Sequence, residues 1–244
     1  DVVNHKNYVY DDCGHGTHVA GICSGSGANS NGKYRGIAPE SNIVMIKALD
    51  FEGKGTASDV LTGIQWIADN CKKYNIRILN MSIGAGITNT KDPLVRAAEI
   101  LWDMGIVVVA AAGNNGPQKG TISSPGISKK IITVGSADDI NVPENDIGKS
   151  YSGRGPTKEC VIKPDVVAPG TNIISCLCED NKSNNYYKSL SGTSMSTPIV
   201  SGAIALLLEK APDLKPDDIK FMLKQSCHNL ECSPNRQGWG LLDI

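Results

Sequence analysis

The sequence holds no run of basic residues and no stretch in which aromatic and basic side chains interleave, so it lacks the pattern of a nucleic-acid groove. Lys and Arg number 24 against 25 Asp and Glu, a net charge of -1, and a polyanion is not an expected partner. Long apolar segments are also missing. The strongest, Ile106 to Ala112 and Ala203 to Leu208, fall far short of the roughly 20 residues a bilayer-crossing helix needs, and no membrane partner is expected. Neither an initiator Met nor a charged-then-apolar leader stands ahead of Asp1, so no targeting segment is in view. None of the eight cysteines forms short pairs at zinc spacing, and Cys176 and Cys178 are too close for an easy mutual bridge. Four disulfides or eight buried thiols both fit the count. The spacings weigh towards free thiols, and hence towards the cytoplasm over a secreted location.

What is present is the pattern of an α/β domain. A chain of 244 residues, 40% hydrophobic and 20% charged, is long enough to bury one sizeable core, and no linker divides it. Strand-length apolar runs occur at Asn42 to Leu49, Ile76 to Met81, Val107 to Ala111 and Ile131 to Gly135. Their near-continuous hydrophobicity fits strands buried on both faces of a parallel sheet. Between the first two, Val60, Ile64, Ile67 and Cys71 recur at helical spacing over Ala57 to Tyr74, behind a Thr56–Asp59 capping pair. Further helices are expected over Pro93 to Met104, Thr193 to Lys210 and Lys215 to Gln225, and polar, turn-rich connections over Asp138 to Pro156 and Glu179 to Lys188. Ligands of such sheets sit beyond the carboxyl ends of the strands.

Three motifs fall there. In Gly14-His15-Gly16-Thr17-His18-Val19-Ala20-Gly21, small residues let His15 open a tightly packed helix and face a cleft. Taken alone, catalysis and a structural role stay equally open, and HExxH-type zinc spacing is missing. In Ser191-Gly192-Thr193-Ser194-Met195-Ser196-Thr197-Pro198, Ser194 stands in the first turn of a buried helix, where unpaired N–H groups and the helix dipole favour developing negative charge. A capping role is the bland alternative. Val107 to Gly116 is a buried strand ending in Ala112-Gly113-Asn114, and an amide at that end can donate to an oxyanion, although turn asparagines are common.

Taken together and in this order, the motifs resemble the subtilisin-like serine proteases, the subtilases, across nearly the whole chain. The resemblance implies a subtilisin-like α/β fold, a mostly parallel central sheet with helices on both faces in three layers. It implies a single peptidase domain over residues 1–244, truncated at both ends, and a serine endopeptidase working through an acyl-enzyme. His15 would be the general base, Ser194 the nucleophile and Asn114 the side-chain oxyanion donor. A polypeptide substrate would lie as an added strand between Gly53-Lys54-Gly55 and Ser82-Ile83-Gly84. Ser82 to Gly84 and Ala111 to Gly113, including Ala112, would wall the pocket for the residue before the scissile bond, with Ser123 near its floor. No carboxylate falls at those positions, so no strong preference for Arg or Lys is expected.

One element of the family pattern is missing. The triad aspartate should precede the histidine by roughly thirty residues, yet only 14 residues precede His15, and no Asp-Ser-Gly or Asp-Thr-Gly string occurs. Asp11 and Asp12 suit turn chemistry rather than the imidazole's far nitrogen. A separate N-terminal segment or propeptide is therefore an expected partner, completing the sheet and bringing the aspartate. Ile199 and Ser196 replace a histidine and an alanine common in the family. No cofactor is expected to be required and no metal is assigned. Asp138, Asp139, Glu144 and Asp146 offer weak calcium ligands, with a solvated acidic loop the commoner outcome. A catalytically inactive subtilase acting as a binding or regulatory module is the runner-up reading. A Gly-x-Ser-x-Gly hydrolase is the weakest, since Ser194 lacks that setting.

Overall fold

The computed structural model describes residues 1–6, 8, 10–86, 89–140, 150–178 and 185–243. Its helices begin where the sequence supplies caps. Helix α1 is His15–Ser24 and α2 is Ala57–Tyr74; the latter is closed by a Thr56–Asp59 capping box and ended by Asn75 in the left-handed region. After strand β1 (Ile78–Met81), α3 (Pro93–Asp103) starts with Asp92 accepting from the Leu94 N–H at 2.8 Å and Pro93 in the first turn. Strands β2 (Val107–Ala111) and β3 (Ile132–Ser136) are buried at every position, as continuous apolar runs require when both faces are covered.

Strand β4 (Val166–Ala168) follows, then β5 (Ile173–Cys176) and β6 (Tyr187–Leu190), which pair as a separate antiparallel ribbon. The chain continues through α4 (Thr193–Lys210), α5 (Pro216–Ser226), β7 (Cys227–His228), a short α6 (Pro234–Gln237) and β8 (Leu241–Leu242). The main sheet runs β1-β2-β3-β4-β8-β7, parallel except for the terminal β7–β8 pair. Helix α4 packs across β1 to β4 with α1 against it, while α2 packs on α3 and α3 on β2. The core lies between these helices and the sheet, centred on fully buried Val107, Val108, Ile132, Val166, Val200 and Ile204.

One strand expectation fails. Asn42 to Leu49 is irregular, and Ile43, Val44 and Met45 are 43%, 43% and 52% exposed. An apolar run becomes a strand only beside a hydrogen-bonding neighbour, and the one backbone bond this segment makes among the described residues runs from the Val2 N–H to the Lys47 carbonyl at 3.0 Å. The connection Glu179 to Lys188, expected as loop, ends inside β6.

The acidic loop also differs from the calcium possibility where it is described. Asp138 accepts from the N–H groups of Gly170 and Thr171, and Asp139 from those of Tyr151 and Ser152. Glu144 and Asp146 lie outside the described residues. Among those residues no group of three or more His, Cys, Asp or Glu is arranged to hold a metal ion. All eight cysteines are free thiols.

Candidate active site

Asn114 sits one loop step beyond β2, and its carboxamide is fixed by the residue before Ser194. The Thr193 N–H donates to Asn114 Oδ1 at 3.0 Å and the Thr193 hydroxyl donates to the same oxygen at 3.1 Å, while that hydroxyl accepts from the Gly113 N–H at 3.1 Å. A backbone N–H can only donate, so the amide oxygen must face Thr193. The Asn114 NH₂ therefore points away from the helix, ready to donate elsewhere. Gly192, at φ 151 and ψ 161, makes room: a Cβ there would stand 3.2 Å from Asn114 Nδ2.

Ser194 is half-buried in the first turn of α4, with its Oγ donating to the Ser82 carbonyl at 3.2 Å. Its own carbonyl would ordinarily accept from the N–H four residues on, but that residue is Pro198, which has none. The Ser82 hydroxyl fills the vacancy, donating to Ser194 O at 2.9 Å. Ser82 Oγ in turn accepts from Asn80 Nδ2 at 3.0 Å, and Asn80 Oδ1 from the Ser201 hydroxyl at 2.9 Å. The end of β1 and the start of α4 are thus stitched together around the serine.

His15 is the first residue of α1, after Gly14 at φ 84. The helix-start donors go to Asp11, whose carboxylate accepts from the N–H groups of Cys13, Gly14 and Thr17 and from the Thr17 hydroxyl. Partial burial works to raise the Asp11 pKa, but these four bonds outweigh it and hold the carboxyl below its ordinary value. Asp11 is accordingly a cap and not a triad member, as the sequence implied. Among the described residues no carboxylate is hydrogen-bonded to His15, and Ser194 Oγ is bonded to Ser82 rather than to the imidazole. Burial lowers the His15 pKa, the neighbouring His18 lowers it further, and the Asp11 charge opposes both.

His18 serves the fold. It is 1% exposed, its Nε2 meets the Lys188 carbonyl of β6 at 2.9 Å, and its own carbonyl accepts from the Ser175 hydroxyl of β5. It thereby binds α1 to the antiparallel ribbon.

The expected substrate wall divides in two. Ser82, Gly84, Ala112, Gly113 and Ser123 are brought together: the Ser123 N–H donates to Ala112 O at 2.9 Å, Asn115 Nδ2 donates to Ser123 Oγ at 3.2 Å, and a Cβ on Gly84 would stand 3.0 Å from Ser123 Cβ. Ile83 lies in the same segment, half-buried against the core. Gly53, Lys54 and Gly55 instead form a self-contained turn, in which the Asp50 N–H donates to Lys54 O at 2.7 Å and Asp50 Oδ1 accepts from the Lys54 N–H at 2.9 Å. No hydrogen bond joins this turn to Ser82–Gly84. Sequence reasoning missed Thr193, Asn80 and Ser201, the residues that hold the site. The Thr beside the serine and the Asn-x-Ser of β1 were its only signals.

The family model of the subtilases, peptidase family S8, matches residues 1–240. The chain is a subtilase. It is 44% identical to serine protease AprX of Bacillus subtilis, over 100% of the subtilase chain and 59% of AprX. It is 36% identical to subtilisin DY of Bacillus licheniformis, over 99% and 80% of the two chains. Among solved structures, sphericase superposes with a TM-score of 0.83 at 27% identity, over 98% of this subtilase and 80% of sphericase. A cold-adapted subtilisin-like serine proteinase does so with a TM-score of 0.77 at 32% identity, over 100% and 77%. The subtilase therefore spans 59% of the length of AprX, and its sheet and helices are those of the subtilisin fold.

Proposed function

We propose that this subtilase chain is the peptide-hydrolysing part of a serine endopeptidase, with Ser194 the nucleophile, His15 the general base and Asn114 the oxyanion donor. The observation that carries the reading is the fixed Asn114 carboxamide, whose NH₂ is left free one residue from Ser194. A binding module has no use for that arrangement. In the reaction, His15 takes the Ser194 hydroxyl proton as Oγ attacks the scissile carbonyl. The oxyanion is then held by Asn114 Nδ2 and the Ser194 N–H. His15 returns the proton to the leaving amine, and water, activated by the same imidazole, hydrolyses the acyl-enzyme.

The aspartate that orients His15 is proposed to arrive on a further strand. Strand β1 has β2 as its one sheet partner among the described residues, and Ile43 to Met45 lie exposed. An apolar strand, from an N-terminal segment or propeptide, would satisfy both. The substrate is a polypeptide lying along Ser82–Gly84, with Gly53–Gly55 as the opposite wall, and without strong preference for a basic residue before the scissile bond. A fluorophosphonate probe that labels Ser194 in a form carrying the aspartate, and leaves Ser194→Ala unlabelled, tests the reading; no labelling of that form would refute it. The inactive-module reading keeps one observation in its favour, the absence of a carboxylate on His15 among the described residues, and it predicts that negative result.

A further inference from the structure

Beside His15 the fold gathers thiols that the proposed reaction does not use. A cavity of about 160 Å³ is lined by Cys13, Gly14, His15, His18, Cys176 and Leu190, with Lys188 at its edge. Cys13 is exposed. Its Sγ would stand 3.2 Å from a Cβ on Gly53, so the thiol lies between the imidazole's cavity and the glycine turn proposed to meet substrate. Cys176 belongs to β5 and reaches the cavity from that strand. Cys178 is engaged elsewhere, its Sγ donating to the Asp11 carbonyl at 2.8 Å.

The cavity also offers polar contacts. His18 lines it while 1% exposed, and His18 Nδ1 is buried with no hydrogen-bond partner of normal length, the Ile173 backbone being the nearby polar group. Lys188 adds the one cationic side chain of the lining. A reactive thiol, an unpaired ring nitrogen and an ammonium together suit a small thiol compound that carries a carboxylate.

We propose that Cys13 is a site of reversible thiolation by low-molecular-weight disulfides bearing a carboxylate, the adduct filling the cavity beside His15 and closing it to peptide. Cys13 Sγ, as thiolate, attacks one sulfur of the disulfide. A new Sγ–S bond forms as the S–S bond breaks, and the second sulfur departs with the electron pair and takes up the proton Cys13 released. One thiol and one disulfide are consumed and one of each is formed. The effect on turnover rests on the peptidase reading above, whereas the modification itself does not.

Glutathione disulfide is the probe, applied to the reduced protein in its aspartate-bearing form, with adducts mapped by peptide mass spectrometry and hydrolysis of a chromogenic peptide followed in parallel. The expected result is an adduct on Cys13 ahead of Cys160, which is equally exposed but outside the cavity. Hydrolysis is lost in proportion to Cys13 occupancy, dithiothreitol restores it, and Cys13→Ser no longer responds to the disulfide. Earlier modification of Cys160, a Cys13–Cys176 bridge in place of the adduct, or undiminished hydrolysis at full Cys13 occupancy each overturns the proposal. A preparation that takes the adduct first on Cys13 but hydrolyses nothing before treatment supports the modification site and counts against the peptidase reading.

Discussion

Thr193 does at residue scale what no side chain of the reacting pair does for itself: it spends both its N–H and its hydroxyl to hold one oxygen of Asn114. Replacing Asn114 with Ala removes the donor and should cut kcat by about 10²–10³ with KM little changed, a magnitude established on subtilisin, a relative of this chain. Steady-state kinetics on the aspartate-bearing form measure it, and an equal rise in KM would show that the amide binds ground state and transition state alike. His15 sets the pH response. The general base must be neutral, and burial followed by the His18 charge lowers its pKa from 6.5. Activity should therefore rise with pH through a midpoint below 6.5 rather than at it. His18→Gln removes one of the two lowering influences and should move that acid limb upward. A limb that stays in place or moves down in the variant would rule out the assigned coupling. The histidine, serine and asparagine were legible in the sequence because each stands in a multi-residue string. Thr193 was not, since a threonine before a serine carries no signal until the folded chain places it against Asn114.

Among the elements, α4 shows why a proline belongs in a helix that carries a nucleophile. Pro198 leaves the Ser194 carbonyl without its helical donor, and Ser82 from the end of β1 supplies one. Ser82→Ala should destabilise the fold by about 1–3 kcal/mol by orphaning that acceptor. Adding Pro198→Ala restores a helical N–H and should recover part of the loss. Denaturant midpoints of the two single variants and the double variant decide it, strictly additive effects being the adverse result. Strands β3 and β4 are tied in a different way. Lys163, fully buried between them, donates to Ile131 O, Thr133 Oγ1 and Asp165 Oδ2, and Asp165 also accepts from the Thr133 N–H. Burial pushes the Lys163 pKa down to about 8, against the pull of Asp165. Lys163→Met leaves Asp165 facing only Lys220, 3.5 Å from its Oδ1, and should cost about 3–5 kcal/mol; a midpoint within error of the parent would contradict that. Elements with their own periodicity and caps, α2, α3, β2 and β3, could be read before the structure. The two- and four-residue strands β5 to β8 could not, because nothing so short has a period and their pairing is set by partners distant in sequence.

For the molecule as a whole, the failed strand at Asn42 to Leu49 and the unfilled role beside His15 have one cause. Periodicity reports the burial a segment is built for, whereas strand geometry needs a neighbour's N–H and C=O groups, and β1 offers its free edge to none of the described residues. The same neighbour, in the subtilase pattern, ends in the carboxylate that holds the imidazole tautomer. Removing that aspartate alone from subtilisin lowers kcat about 3 × 10⁴-fold, so the 244-residue chain should hydrolyse a chromogenic peptide about 10⁴-fold more slowly than a form with the aspartate-bearing strand in place. The two forms should also differ in the surface they expose. Strand addition would cover Ile43, Val44 and Met45, so amide exchange over residues 42–49 should slow together with the gain in turnover. Full turnover by the 244-residue chain would mean that another group orients His15. Restored turnover with unchanged exchange would mean that the aspartate reaches the ring without pairing to this edge. Only the two changes together place the carboxylate and the missing strand on a single segment.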